Sequence, residues 1–180
     1  MSRWSLLAIP IIAATFGCVP FPATPEARAN LDAAVAQAVT SLKAAFPQLE
    51  AELVDAPGYA VFPRVTKGGA GLGGAYGIGE LFEGGQFKGF CDVAQGTIGA
   101  QIGGQVYREL VVFKRSESLE RFKVAHVVLA MQTSGVGGHT GVGIAHPYED
   151  GVEIYLQPIG GLMGEASIGA QQFSFVPEEG

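Results

Sequence analysis

Several residue sets in this chain are of types that perform chemistry, but each lacks a part its reaction requires. Gly69-Ala70-Gly71-Leu72-Gly73-Gly74 satisfies the G-x-G-x-x-G spacing of a dinucleotide loop, and Asp92 follows at about the right distance. That mechanism needs a helix N-terminus at the last glycine to receive the pyrophosphate, whereas Ala75-Tyr76-Gly77-Ile78-Gly79 has no helical periodicity. Lys67 precedes the glycines instead of closing a phosphate loop. His126, His139 and His146 share no i, i+3 or i+4 spacing, and no C-x-x-C accompanies them, so a zinc site is not expected. Ser134 and Ser167 lie outside any G-x-S-x-G elbow. Glu80 with Glu83, and Glu149 with Asp150, offer paired carboxyls for acid–base work, but each pair sits in or beside a turn, where solvated carboxylates are common. The expectation is a protein without catalytic residues, metal or cofactor.

Two further sets could meet a membrane. Arg108, Lys114, Arg115, Arg121 and Lys123 are the densest cationic stretch, diluted by Glu109, Glu117 and Glu120 to a net +2. Lys114 and Arg115 could meet phosphate headgroups; a solvated helix with intrahelical ion pairs accounts for the same residues. At the start of the chain, Arg3 precedes an apolar run from Leu6 to Phe16, followed by Gly17-Cys18 and a Pro-rich stretch to Pro25. This reads as an export signal. The run is too short to cross roughly 30 Å of hydrocarbon as a helix, and Pro10 interrupts it. A cysteine directly after a small residue at the end of such a run resembles a bacterial lipobox, with Cys18 acylated as the first mature residue. Cleavage after Ala27-Arg28-Ala29 is the alternative. Acylation leaves Cys91 as a small buried hydrophobe; without it, a Cys18–Cys91 disulfide is open to an exported chain. The expected organisation is a signal over 1–17, a tether over 18–24 and one domain over 25–180.

A length of 180 residues suits one domain. The net charge of −6 and pI near 5.0 exclude the basic face that nucleic acid requires. With 48% hydrophobic residues and a mean hydropathy of +0.28 the chain is too apolar for disorder. Its 27 glycines are about twice ordinary usage.

Thr24-Pro25 supplies an N-cap and a proline at the first helical position, and Leu31, Val35, Ala38, Leu42, Ala45 and Leu49 recur at helical steps. Pro47 should break or restart that helix. Arg28 and Lys43 against Glu26, Asp32, Glu50, Glu52 and Asp55 give this segment a net −3, the wrong sign for a membrane-surface helix, so its apolar face is expected on the domain's own sheet. Tyr59-Ala60-Val61-Phe62 reads as a short strand ended by Pro63. From Gly69 to Gly79 the odd positions are glycine or alanine, and Gly135, Gly137, Gly141 and Gly143 repeat the device. Glycines at period two strip one strand face bare, for close approach by a helix, another strand or an acyl chain. Turns are expected at Glu83–Gln86 and Tyr148–Gly151, with Gln157-Pro158-Ile159-Gly160-Gly161 separating two final strands. Ser116–Lys123 reads as a helix; Val124–Met131 fits either its continuation or a strand, and β-branched content favours the strand. Ile98-Gly99-Ala100-Gln101 recurs as Ile168-Gly169-Ala170-Gln171, a hint of two similar strands. The fold class expected is α+β: a curved antiparallel sheet or barrel with an N-terminal helical segment and one mid-chain helix.

Taken in order, Ala56-Pro57-Gly58-Tyr59-Ala60-Val61-Phe62-Pro63, Lys67-Gly68-Gly69, Gly73–Gly79, Ile98–Gln105 and Gly161–Phe173 resemble the SYLF-domain family, in particular its envelope-anchored bacterial branch. The resemblance implies a non-enzymatic domain that binds membrane lipid or an acyl chain, anchored in the cell envelope through lipid at Cys18. Arg64 and Lys67, with Lys114 and Arg115, are the candidate lipid contacts. The alternative is a structural envelope protein whose glycine-rich strands serve only internal packing.

Overall fold

The computed structural model describes residues 21–124, 127–137, 144–148 and 151–178, with side chains for 21–124, 151–161 and 169–178. Cys18, His126, His139, Gly141, Gly143, Glu149 and Asp150 lie outside the described residues, as do the side chains of Ser134, His146 and Ser167.

Thr24 caps helix α1 (Pro25–Ala45): its side chain accepts from the Ala27 amide at 3.1 Å. The chain breaks at Phe46-Pro47-Gln48, and α2 (Leu49–Asp55) follows. Val35, Ala38, Leu42 and Leu49 are buried, so the helical spacing does mark one packed face. Then come β1 (Gly58–Glu83), β2 (Gln86–Phe113), α3 (Ser116–Val124), β3 (Val127–Gly137), β4 (Ile144–Tyr148) and β5 (Val152–Pro177).

All pairings are antiparallel, in the order β1-β2-β5-β3, with β4 also on β5. Because β3 and β4 share one edge of β5, the sheet is four strands wide; it is not closed into a barrel. Ile98 and Ile168 are direct register partners, so the repeated tetrapeptides cross the middle of the sheet on its two central strands.

Two boundaries differ from the sequence expectation. Pro63 does not end a strand; β1 continues through it to Glu83. An edge strand tolerates a missing amide, and Pro63 falls in a register shift between Phe62 and Val65. Nor does Gln157–Gly161 separate two strands. It lies within β5, where a register shift opposite Val106 and Tyr107 absorbs Ile159 between Pro158 and Gly160.

The long strands fold double. On β1, a Cβ added to Gly77 would meet Val65 Cγ2 at 2.8 Å, one added to Gly79 would collide with the Val61 carbonyl, and one on Gly69 would strike the Gly73 backbone. The two halves of one strand therefore lie against each other, turning over near Gly71, whose φ is +74°. Strand β2 does the same: the Tyr107 hydroxyl donates to Gln95 Oε1 at 3.2 Å. The bare glycine face is thus pressed on by the other arm of its own strand.

Two cores result. Between the arms lie Ala60, Phe62, Val65, Ala75, Leu81, Cys91, Val93, Val111, Phe113 and Phe173, closed off by Leu119 and Phe122 of α3. Outside the first arm, Val61, Leu110, Val112 and Tyr155 receive Val35, Ala38, Leu42, Phe46 and Leu49. Among the described residues no helix is long and apolar enough to cross a membrane.

Candidate functional site

Where the N-terminal half of α1 meets the open end of the folded sheet, the contact is incomplete and leaves a cleft of about 600 Å³. Its walls are Val35, Ala36 and Val39 from α1 and Tyr59, Phe82, Phe87 and Phe90 from the sheet; its polar groups are Arg28, Asp32, Glu80 and Glu178. The type of turn places the aromatics. Gly84 and Gly85, at φ +56° and +77°, form a two-residue hairpin loop that sets Phe82 opposite Phe87 in register and Glu80 opposite Phe90. The rings then touch in series: Tyr59 stacks on Phe82 at 5.1 Å, Phe82 meets Phe87 at 6.2 Å and Phe87 meets Phe90 at 5.2 Å. Such an apolar concavity with few polar groups is the usual form of a small-molecule site.

The polar groups are not arranged as a solvated pair. Glu80 is only 2% exposed. Burial, and then the adjacent Asp32 carboxyl, push its pKa up to about 8. A carboxyl held in this way keeps its proton above the usual range, and Glu80 Oε1 has no hydrogen-bond partner. Glu83, the sequence-level companion of Glu80, instead accepts from Lys123 Nζ at 3.0 Å. Arg28 lies with its guanidinium 5.5 Å from the Phe90 ring centroid and donates from Nε to the Pro22 carbonyl at 3.1 Å. Phe21 packs on the same ring at 6.4 Å.

The four candidate headgroup contacts do not converge. Lys67 is 5% exposed and turned between the arms, where its charge acts on Glu109; a side chain in that position does not reach a headgroup. Arg64 is exposed on β1. Lys114 is taken up by Glu52 and Glu153, at 2.9 Å each. Against the pull of partial desolvation, Tyr155 and Lys114 hold Glu52 below the usual carboxylate range. Arg115 is exposed and lies beside Gly151. Lys114 and Arg115 follow β2 at the open end, and Arg64 is six residues along β1 from that end, about 20 Å away at strand rise.

Two other features compete as sites. At the bent end, Leu72, Ile98 and Ile102 are 69%, 66% and 73% exposed, with no charged residue on β1 or β2 nearby. Between the arms, Gln95, Thr97, Gln101, Glu109 and Gln171 form a buried polar layer. No cluster of three or more metal-ligating side chains occurs among the described residues. Cys91 is a free thiol at 0% exposure.

The sequence reading singled out Glu80 but not Asp32, Phe87 or Phe90. A signal for them exists in retrospect: three phenylalanines flank a Gly-Gly turn, and hairpin pairing gathers them. Compared with known protein families and with curated proteins, the chain finds no match.

Proposed function

We propose that this chain is a non-enzymatic lipid-binding domain of an exported, envelope-anchored lipoprotein, and that it takes an apolar chain into the cleft beneath α1. The cleft itself carries the reading: a concavity of about 600 Å³ walled by two valines, an alanine and four aromatic rings. The resemblance to the SYLF-domain family supports the same reading. So does its position. Phe21 packs on the rim ring Phe90, and three residues of chain reach at most about 11 Å. Acylation at Cys18 would therefore hold the mouth of the cleft beside a bilayer surface. The net charge of −6 agrees with tethering by acyl chains rather than by electrostatic attraction to anionic lipid.

The test uses residues 18–180, the mature protein, with Cys18→Ser, so that binding comes neither from the leader nor from the anchor. It should co-sediment with liposomes and retain extractable lipid in native mass spectrometry, and Phe87→Ala should reduce both. Protein that stays in the supernatant and carries nothing overturns the reading.

The structural alternative has one observation in its favour. Gly69, Gly77 and Gly79 are spent on contact between the arms of β1. This moves any lipid contact off the glycine stripe and onto the cleft or the outer face. In a purely structural protein, filling the cleft with Ala36→Leu would stabilise the fold and remove nothing.

A further inference from the structure

We propose that the cleft selects amphiphiles with an organic ammonium headgroup, held between the Asp32 and Glu80 carboxyls and the aromatic wall of Tyr59, Phe82, Phe87 and Phe90. This rests on the lipid-binding reading and specifies its headgroup.

Glu80 is 98% buried at the wall of a cleft, and its Oε1 has no partner. A buried acceptor left unpaired is costly, and native folds rarely leave one without a ligand or water to meet it. The missing partner is a donor. Three carboxyls face the cleft, Asp32, Glu80 and Glu178, against the one cation Arg28. Even with Glu80 holding its proton, the carboxyls of the lining outnumber its one cation, which disfavours a carboxylate or sulfate and favours an ammonium.

The aromatic wall has the same preference. The face of a phenyl ring attracts a cation through its quadrupole, and this wall already holds one, since the Arg28 guanidinium stands over Phe90. An ammonium entering beside Arg28 finds the remaining ring faces and the Glu80 carboxyl at the wall, while a phosphate on the same headgroup would stay outside near Arg28. The Glu80 carboxyl then titrates with the ligand. The groups facing Glu80 are Asp32 and Arg28 from α1, Tyr59 on its own strand, Cys91 on β2 and Glu178. Tyr59 and Cys91 are both pushed above their ordinary values by burial, so they stay neutral through pH 9. An ammonium bound against the Glu80 carboxyl displaces its proton. Binding should release protons at pH 7 and tighten as pH rises from 6 to 9.

The experiment titrates the mature Cys18→Ser protein with three amphiphiles of one tail length, decylammonium, decyl maltoside and decanoate, below micelle formation, and with tail-less methylammonium. The ammonium amphiphile should bind about ten-fold tighter than the other two, a difference of about 1.4 kcal/mol. It should also release protons, read from the dependence of the heat on buffer ionisation. Glu80→Gln, isosteric with the neutral carboxyl, and Phe87→Leu, which keeps bulk but removes the ring, should each lower the ammonium-to-maltoside ratio. Equal binding of all three tails, or preference for decanoate, overturns the ammonium assignment and leaves the lipid-binding reading intact. No binding by any tailed compound overturns both. Methylammonium binding as tightly as the tailed compound would show a free amine site, overturning the amphiphile.

Discussion

Glu80 and Glu109 are both carboxyls raised to about 8, both chiefly by burial, and each keeps one oxygen without a hydrogen-bond partner. Their surroundings differ. Glu109 is sealed between the arms of the sheet, where Gln171 donates to its other oxygen at 3.0 Å and Lys67 partly offsets its desolvation. Glu80 stands at the wall of an open cleft beside a second carboxyl and four aromatic rings. A raised pKa is therefore not what marks a site in this molecule. What separates the two is position: Glu80 lines the wall of an open cleft, while Glu109 is enclosed by backbone pressed on backbone at the glycines.

The enclosure can be broken first, and the expected effect is the largest. Valine at Gly79 would drive its side chain into the Val61 carbonyl and the Phe62 ring. Main chain cannot swing aside as a flexible side chain can, so Gly79→Val should cost about 3 kcal/mol or more and reduce the fraction folded in urea titration. Gly96→Val is the matched control on the outer face, with nothing within 4 Å of its added Cβ. It should change stability by less than about 0.5 kcal/mol. Equal midpoints for the two variants would mean that the arms do not press together.

The second prediction separates the carboxyls by pH. A carboxyl whose folded pKa is about 8 retains a proton that the unfolded chain has already lost near pH 4.5, so the folded state binds more protons in between. Stability conferred by that proton is complete below the unfolded value and is lost as pH rises toward the folded one. The slope is at most about 1.4 kcal/mol per pH unit for each group. Two such groups act here. Glu109→Gln, which keeps the neutral shape and the Gln171 contact, should remove about half of the decline in urea midpoint between pH 5 and 8. Glu80→Gln should remove the rest. If bound ligand displaces the Glu80 proton, saturating ligand should flatten only the Glu80 share.

Third in size is the wall of the cleft. Phe87 is half-buried, so Phe87→Ala should cost about 1 kcal/mol, below the toll of a core phenylalanine. Its effect on retained lipid should be proportionally greater. A variant that loses stability and lipid in step would place Phe87 in the core rather than in a site.

Much of this architecture is legible in the sequence. Thr24-Pro25 and the three- and four-residue spacing locate α1 because capping and helical periodicity are local rules. The alternating glycines mark a bare strand face for the same reason. What pressed on that face was not legible, since it required a strand to fold back on itself near Gly71. Pro63 and Pro158 read as strand ends because sequence cannot show that one lies on a sheet edge and the other at a bulge. Glu80 read as a solvated turn residue paired with Glu83; its real neighbour, Asp32, comes from a helix far back in the chain. The cleft is a product of such long-range contacts, and only its phenylalanines around Gly84-Gly85 left a local trace.

The smallest effect tests whether the cationic residues belong with the cleft at all. Lys114 lies 2.9 Å from both Glu52 and Glu153, and its side chain is 33% exposed. Partly exposed ion pairs contribute about 0–1 kcal/mol and weaken with salt. Lys114→Ala should therefore lower the stability read from urea titration by under about 1 kcal/mol, less in 0.5 M salt than in 0.05 M. With its charge already committed to two carboxylates, the ammonium has little left to offer a phosphate, and liposome co-sedimentation should not change. A marked loss of liposome binding on Lys114→Ala, suppressed by salt, would shift the lipid contact from the cleft to the Lys114-Arg115 surface. Headgroup charge would then outweigh the aromatic wall in recognition.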